Sequence, residues 1–290
     1  MKTPDKYTLM GAVRPFTFPV ALTTCAIGLL LAWQQGMFDA LQALLVLLGG
    51  VLLQAGVNLI NDYSDIPLLQ AGTGQAWQIQ AVRRHFRLGM ICFLLASAIA
   101  LYFVTLRGLG FLCLCLLGLA GALGYTLKPI NYKSRGLGVV LVFWLMGVLM
   151  ICGSAAALGA TITSGLVLNT VPVSLLVSLL LLSNELRDYE SDRRDDHQTL
   201  TVRIGYRPAV RLYCVLLLSA YLLAALLLAL DLLPGALWLL PSLPLTLKPV
   251  RLLNVPASQR TPLTPATARL LLGFGVLYCV ALVNPLAFLL

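Results

Sequence analysis

Asn184-Glu-Leu-Arg-Asp188-Tyr-Glu-Ser-Asp192-Arg-Arg-Asp195-Asp-His-Gln-Thr-Leu200 is the stretch on which the reading of this chain turns. It closes a long apolar run and packs six carboxylates and three arginines into the thirteen residues from Glu185 to His197. On a helix, Asn184, Asp188 and Asp192 stand at i, i+4 and i+8, within roughly 80° of arc on one face. Oxygen ligands set out in that way suit a hard cation such as Mg²⁺, which is held by a few carboxylates together with a substrate's phosphate oxygens. A shorter acidic cluster, Asn58-Leu-Ile-Asn61-Asp62-Tyr-Ser-Asp65, lies upstream.

Around these clusters the chain is apolar. Of its 290 residues 59% are hydrophobic and 11% charged, with a mean hydropathy of +0.91. A soluble globular domain carries about 25% charged residues, and apolar runs near the roughly 20 residues needed to cross a bilayer recur along the whole length. The expectation is an all-α integral membrane protein, one domain over residues 1–290, with helices bundled around a central cavity open to lipid. Residues 1–13 read as a short cytoplasmic tail, since no secretory signal pattern precedes the first span. The seven cysteines all sit inside apolar runs without the spacing of a zinc site, and are expected to pack as small hydrophobes.

Nine spans can be laid out: Arg14 to Trp33, Phe38 to Ile60, Leu88 to Leu106, Leu109 to Leu127, Leu137 to Gly159, Val167 to Leu186, Ala209 to Leu230, Leu232 to Leu247, and Leu270 to Leu290. The eighth is interrupted by Pro234, Pro241 and Pro244, each of which frees a carbonyl that neighbouring helices must satisfy. With the N-terminus in the cytoplasm, this layout puts 19 of the 20 Lys and Arg residues inside and only Arg107 outside. That sorting is the positive-inside rule, and it predicts a cytoplasmic membrane protein with its N-terminus in and its C-terminus out. It also accounts for the net charge of +9 without invoking nucleic acid.

The acids say more. Eight of the eleven carboxylates lie in the two clusters, which fall at the cytoplasmic ends of the second and sixth spans. Acidic residues contribute little to orientation, and charge near hydrocarbon is costly unless paired or functional. The corresponding places of the two clusters also hint at a duplicated half, as in the parallel repeats of some membrane proteins. A transporter would instead show ionisable groups near the bilayer midplane, and the span interiors here are nearly free of charge. Two acidic helix ends, Mg²⁺, many basic residues and an apolar pocket together suit the ionisation of an allylic diphosphate. The metal would bridge carboxylates and diphosphate while Lys or Arg neutralised the leaving group.

At these residues a resemblance becomes specific. Arg14-Pro15-Phe-Thr17-Phe-Pro19, Asn58-x-x-Asn61-Asp62-Tyr63-x-Asp65, Tyr125-Thr126 with Lys133-x-Arg135-Gly136-Leu137-Gly138, and Asn184-x-x-Arg187-Asp188-x-Glu190-x-Asp192 followed by Thr199-Leu200-x-Val-Arg203-x-Gly205 stand in order along most of the chain. In these stretches the chain resembles the UbiA superfamily of membrane aromatic prenyltransferases, and within it the branch that prenylates 1,4-dihydroxy-2-naphthoate on the way to menaquinone. The resemblance implies that Asn61, Asp62 and Asp65, with Asn184, Asp188 and Asp192, hold Mg²⁺ and diphosphate, the four aspartates being catalytic. It makes Asn58, Lys133, Arg135 and Arg187 candidates for gripping the diphosphate. Tyr125 either turns its ring to the carbocation or belongs to the interfacial aromatic belt. The implied partners are a polyprenyl diphosphate, an aromatic acceptor and the surrounding membrane lipid.

The chain departs from the family pattern in three places. The first motif of the family continues to a further Asp where Leu69 or Ala71 stands here, its Gly-Lys before Gln198-Thr199 is Asp196-His197, and an acidic residue after Arg-Gly-Leu-Gly is Val139. The first side is thus short of a ligand, while Asp195 and Asp196 add acids to the second. An altered substrate, a metal bound mostly by the second cluster, and weak or lost activity are the readings these departures leave open. The rival functions are a prenyltransferase with another acceptor, a cyclase that uses no acceptor, and a non-catalytic isoprenoid-binding or transport protein.

Overall fold

In a computed structural model of the chain, the described residues are 7–71, 75–126 and 130–284, without the side chains of Ser64, Asp65, Leu68, Ala71, Thr126, Lys133 and Ser134. All regular structure among them is helical. In hydrocarbon no water is available to the peptide groups, so a spanning segment satisfies them within itself, as a helix does. The long helices are α1 (Phe18–Gln34), α2 (Ala40–Ile60), α3 (Ala76–Arg107), α4 (Leu109–Thr126), α5 (Gly138–Ala157), α6 (Ser164–Arg194), α7 (Tyr206–Ala229), the nine-residue α8 (Pro244–Leu252) and α9 (Leu263–Val283). Seven of these are long and apolar enough to cross a membrane; α4 has a shorter apolar stretch, Leu109–Tyr125, and α8 is shorter still.

The helix ends differ from the apolar runs, for a simple reason. Hydropathy marks where a chain meets lipid, whereas a helix continues for as long as its backbone bonds and side-chain contacts hold. So α3 begins at Ala76 rather than Leu88, carrying Arg83, Arg84 and Arg87 on its first turns, and α6 runs on to Arg194, through the acidic stretch, rather than ending at Leu186. The expected eighth span, Leu232 to Leu247, is not one helix. Its prolines break it into a 3₁₀ segment, Ala236–Ser242, and α8. Within α5, residues Phe143–Leu149 form a π-helical turn.

Local chemistry starts the helices where they start. Asp39 accepts the Gln42 amide at 2.7 Å before α2, and the Thr163 hydroxyl accepts the Leu166 amide at 3.2 Å before α6, each satisfying one orphan donor of the first turn. Arg107, at the end of α3, donates to the Ala157 carbonyl at 2.8 Å and to Gln42 Oε1 at 2.9 Å, a cation closing the C-terminus of α5. Helix α1 is central, packed on α2, α5 and α9. Its approach to α5 is so close that a Cβ on Gly28 would lie 2.3 Å from the Ile151 carbonyl oxygen. Helices α1 to α6 enclose a cavity of about 1010 Å³, to which α7, α8 and α9 contribute no lining residue.

Candidate active site

Each acidic stretch sits where a helix leaves the apolar layer. From α2 and the 3₁₀ turn after it, Asn61–Asp65, come Asn58, Asn61 and Asp62; from α6 come Asn184, Asp188 and Asp192. All six line the one cavity, as do Arg187 and Tyr125, so the two clusters, far apart in sequence, share its polar end. Phe103 near the end of α3 and Phe111 near the start of α4, whose ring centroids lie 6.1 Å apart, also line the cavity. The α6 face expected from spacing is the face turned to the cavity. Glu190, in the same stretch, is not among the lining residues.

Arginines hold both clusters. Arg187 donates through Nε and Nη2 to both Asp188 oxygens, at 2.7 and 2.6 Å. Arg14 Nη2 donates to Asp62 Oδ1 at 2.7 Å, and Asn61 Nδ2 donates to the same oxygen at 3.1 Å. Asn61 and Asp62 are only 5% and 7% exposed, so Asp62 needs those donors. Arg14 adopts a left-handed backbone, φ 51°, between the short helix Leu9–Val13 and the turn that starts at Pro15. That conformation is uncommon for a residue with a Cβ and marks a position over-determined by its surroundings. In the sequence Arg14 counts only as a cytoplasmic cation and as the first residue of the entry motif; its pairing with Asp62 is a product of the fold.

The other expected residues divide. Asn58 lines the cavity, but its Nδ2 donates to the Val13 carbonyl at 2.7 Å and to Thr17 Oγ1 at 2.8 Å, which binds the start of α1 to α2. Arg135 is exposed and is not among the cavity-lining residues. The side chains of Asp65 and Lys133 lie outside the described residues. The Tyr125 and Tyr132 rings meet edge to face with centroids 5.3 Å apart, and the Tyr132 hydroxyl donates to the Gly121 carbonyl at 2.5 Å. Burial first, and Tyr125 second, push the Tyr132 phenol well above its ordinary pKa. Glu185 is a buried carboxylate whose Oε2 accepts from the Thr201 amide at 3.0 Å and hydroxyl at 3.1 Å, tying the short helix Leu200–Ile204 back onto α6. The loop after α4 is seated on that helix: Gly136 has φ 73°, and a Cβ there would lie 2.6 Å from Arg203 Cδ.

A metal's fit can be judged from the oxygens. Among the described residues no three His, Cys, Asp or Glu side chains converge tightly enough to hold an ion by themselves. The site does present a set of hard oxygen donors, and one of them, Asn184 Oδ1, is buried without a hydrogen-bond partner. Unpaired buried oxygens are rare and need an explanation. A hard cation that takes its remaining ligands from a diphosphate fits such a donor set.

Residues 21–262 match the model of the UbiA prenyltransferase family. The chain belongs to that family. It is an integral membrane protein and a prenyltransferase. It is 35% identical over 259 residues, 83% of each chain, to a 1,4-dihydroxy-2-naphthoate octaprenyltransferase of Escherichia coli strain K12. It is 31% identical, over 72% of this chain and 73% of the other, to a protein of the same name from Haemophilus influenzae. Two UbiA homologues share the fold at 18% identity: one from Archaeoglobus fulgidus bound to GPP and Mg²⁺, with a TM-score of 0.63 over 94% of this chain and 99% of that one, and one from Aeropyrum pernix K1, with a TM-score of 0.64 over 94% and 98%.

Proposed function

We propose that this UbiA-family chain is a single-domain, Mg²⁺-dependent enzyme that transfers a polyprenyl group from its diphosphate to 1,4-dihydroxy-2-naphthoate in menaquinone biosynthesis. The observation that carries this reading is the meeting of two oxygen-rich helix ends, each with its own arginine, at the polar end of one long apolar cavity. At about 1010 Å³, the cavity is at the upper end of ligand-pocket sizes. That leaves room for an isoprenoid tail as well as an aromatic ring. The names of the Escherichia coli and Haemophilus influenzae relatives point to the acceptor, and the Archaeoglobus fulgidus homologue bound to Mg²⁺ points to the metal.

Asn61, Asp62, Asn184, Asp188 and Asp192, with Asp65 from the same motif, would hold Mg²⁺, which when bound supplies charge neutralisation for the departing diphosphate. A guanidinium has five N–H donors, of which the fork to Asp188 uses two. Arg187 and Arg14 can therefore grip phosphate oxygens while staying near their carboxylates, with Lys133 in support. The apolar walls keep water from the allylic cation as the C–O bond breaks, and the Tyr125 face stabilises positive charge near it. An electron-rich ring carbon of the acceptor then attacks, its new C–C bond replacing the broken C–O bond. The ring is restored when the attacked carbon gives up its proton or, where it carries the carboxylate, when the bond to that carboxylate breaks, releases carbon dioxide and returns its electron pair to the ring.

Nine crossings with the N-terminus inside suit this geometry. The broken eighth segment joins opposite ends of the bundle, since the Leu232 carbonyl accepts from Asn169 near the start of α6 and the Leu253 carbonyl accepts from Tyr206 at the start of α7. The site then faces the cytoplasm, where a charged donor is available. The test is prenyl transfer by membrane-embedded protein given a labelled polyprenyl diphosphate and dihydroxynaphthoate. Product is expected with Mg²⁺ and none with a chelator. Donor consumed without prenylated acceptor would point to cyclisation, and no consumption at all would sink the enzymatic reading.

A further inference from the structure

We propose that Arg260, on the loop between α8 and α9, is a positioning residue that holds the ligand-bearing turns of α6 from behind, and that Glu190 is its anchor rather than a metal ligand. The proposal rests on the reading of Asp188 and Asp192 as the diphosphate-metal site.

Four basic residues follow α7 in the chain, and topology alone would leave all of them at the surface. Lys248, Arg251 and Arg269 are exposed; Arg260 is 5% exposed. All three of its nitrogens are engaged, two on one side of α6 and one on its own loop. Nη1 donates to the Leu186 carbonyl at 2.9 Å, Nη2 pairs with Glu190 Oε1 at 2.5 Å, and Nε donates to the Val255 carbonyl of its own loop at 3.2 Å. The Tyr206 ring, at the start of α7, lies 4.3 Å from the guanidinium carbon and donates its hydroxyl to the Leu253 carbonyl at 2.7 Å. A planar fork with several fixed donors can make these contacts at once; a lysine cannot.

Helix geometry gives the bracket its meaning. Leu186 and Glu190 each stand about 200° around the helix from Asn184 and Asp188 respectively. The residues Arg260 grips therefore lie on the side of α6 away from the cavity, and at the same height as the ligands. That part of α6 has left the apolar layer, where a helix end frays unless something holds it. Ligands on a fraying turn cannot keep the sub-ångström placement that a metal-diphosphate site needs. In the sequence Glu190 reads as one more acid of the motif, yet its carboxylate is turned away from the cavity and committed to Arg260.

Hydrogen–deuterium exchange on the purified protein, with Mg²⁺-dependent prenyl transfer measured beside it, tests this. In Arg260→Lys and in Glu190→Gln, amides of residues 187–194 are expected to exchange about tenfold faster than in the wild type, with α2 and α3 unchanged. The Mg²⁺ concentration for half-maximal rate should rise about tenfold, the low end of the cost of losing outer support at a metal site, while the KM for the aromatic acceptor stays the same. Unchanged exchange in 187–194, or exchange that rises evenly through the bundle, would overturn the bracket. Faster exchange with an unaltered Mg²⁺ dependence would leave a structural contact and overturn the positioning role. Should the wild type transfer nothing, the functional reading falls, and exchange in 187–194 still decides whether Arg260 holds the helix.

Discussion

At Asp188 a carboxylate and its neighbouring guanidinium are both partly open to solvent, with 40% and 27% of their side chains exposed. A pair so exposed is worth roughly 0–1 kcal/mol, so under the proposed function little would be lost if Asp188 turned to a cation and Arg187 to a phosphate. The Arg14–Asp62 pair is more enclosed, at 28% and 10%, and Asp62 is the more costly to leave unpaired. These values lead to different outcomes. Asp188→Ala and Asp192→Ala are expected to lower prenyl transfer by at least about 100-fold, with loss of polyprenyl diphosphate binding. Arg187→Lys should fold normally and raise the KM for the diphosphate by about tenfold, because a point charge cannot replace a fork. Initial rates in proteoliposomes check both, and wild-type rates in Asp188→Ala would remove that residue from the site.

Helix α1 shows how an element's small residues set the geometry of its neighbours. A methyl at Gly28 would meet the Ile151 carbonyl of α5 at 2.3 Å, and a carbonyl in a helix cannot swing aside as the tip of a side chain can. Gly28→Ala is therefore expected to destabilise the bundle by about 1–3 kcal/mol, the usual cost of overpacking. Gly110, at the start of α4, has nothing within 4 Å of the same methyl, and Gly110→Ala should stay within about 0.5 kcal/mol of the wild type. Thermal unfolding in one detergent compares the two, and equal midpoints would mean that α1 and α5 are not held so closely. Helix α6 presents the opposite case. Its acid-bearing turns hold through contacts with the loop before α9 and the helix Leu200–Ile204 rather than through small-residue packing.

The whole molecule divides into a working shell and a support. Helices α1 to α6 make the cavity, while α7 and α9 back α6, α9 also backs α1, and α8 packs on α9, none of the three reaching the lumen. All the acids of the two clusters stand at one end of this assembly, and Arg107 stands at the other. If that end faces the cytoplasm, reporter fusions after α2, α4, α6 and the segment ending at Leu252 should all read as cytoplasmic, and fusions after α1, α3, α5, α7 and α9 as external. A cytoplasmic reading after α9 would mean that the segment from Leu232 to Leu253 does not cross.

By itself the sequence determined the membrane class, the apolar segments, the sorting of basic residues and the two oxygen-rich clusters, because hydropathy and helical spacing are properties of neighbours along the chain. The face formed by Asn184, Asp188 and Asp192 was legible for that reason. Tertiary structure decided the roles within the clusters. It committed Glu185 to Thr201 and Glu190 to Arg260, brought Arg14 to Asp62 across 48 positions and Arg260 to Leu186 across 74, and carried α6 past the end of its apolar run. Those outcomes depend on which groups meet across the bundle when buried polar atoms seek partners, and no spacing along the chain encodes such meetings.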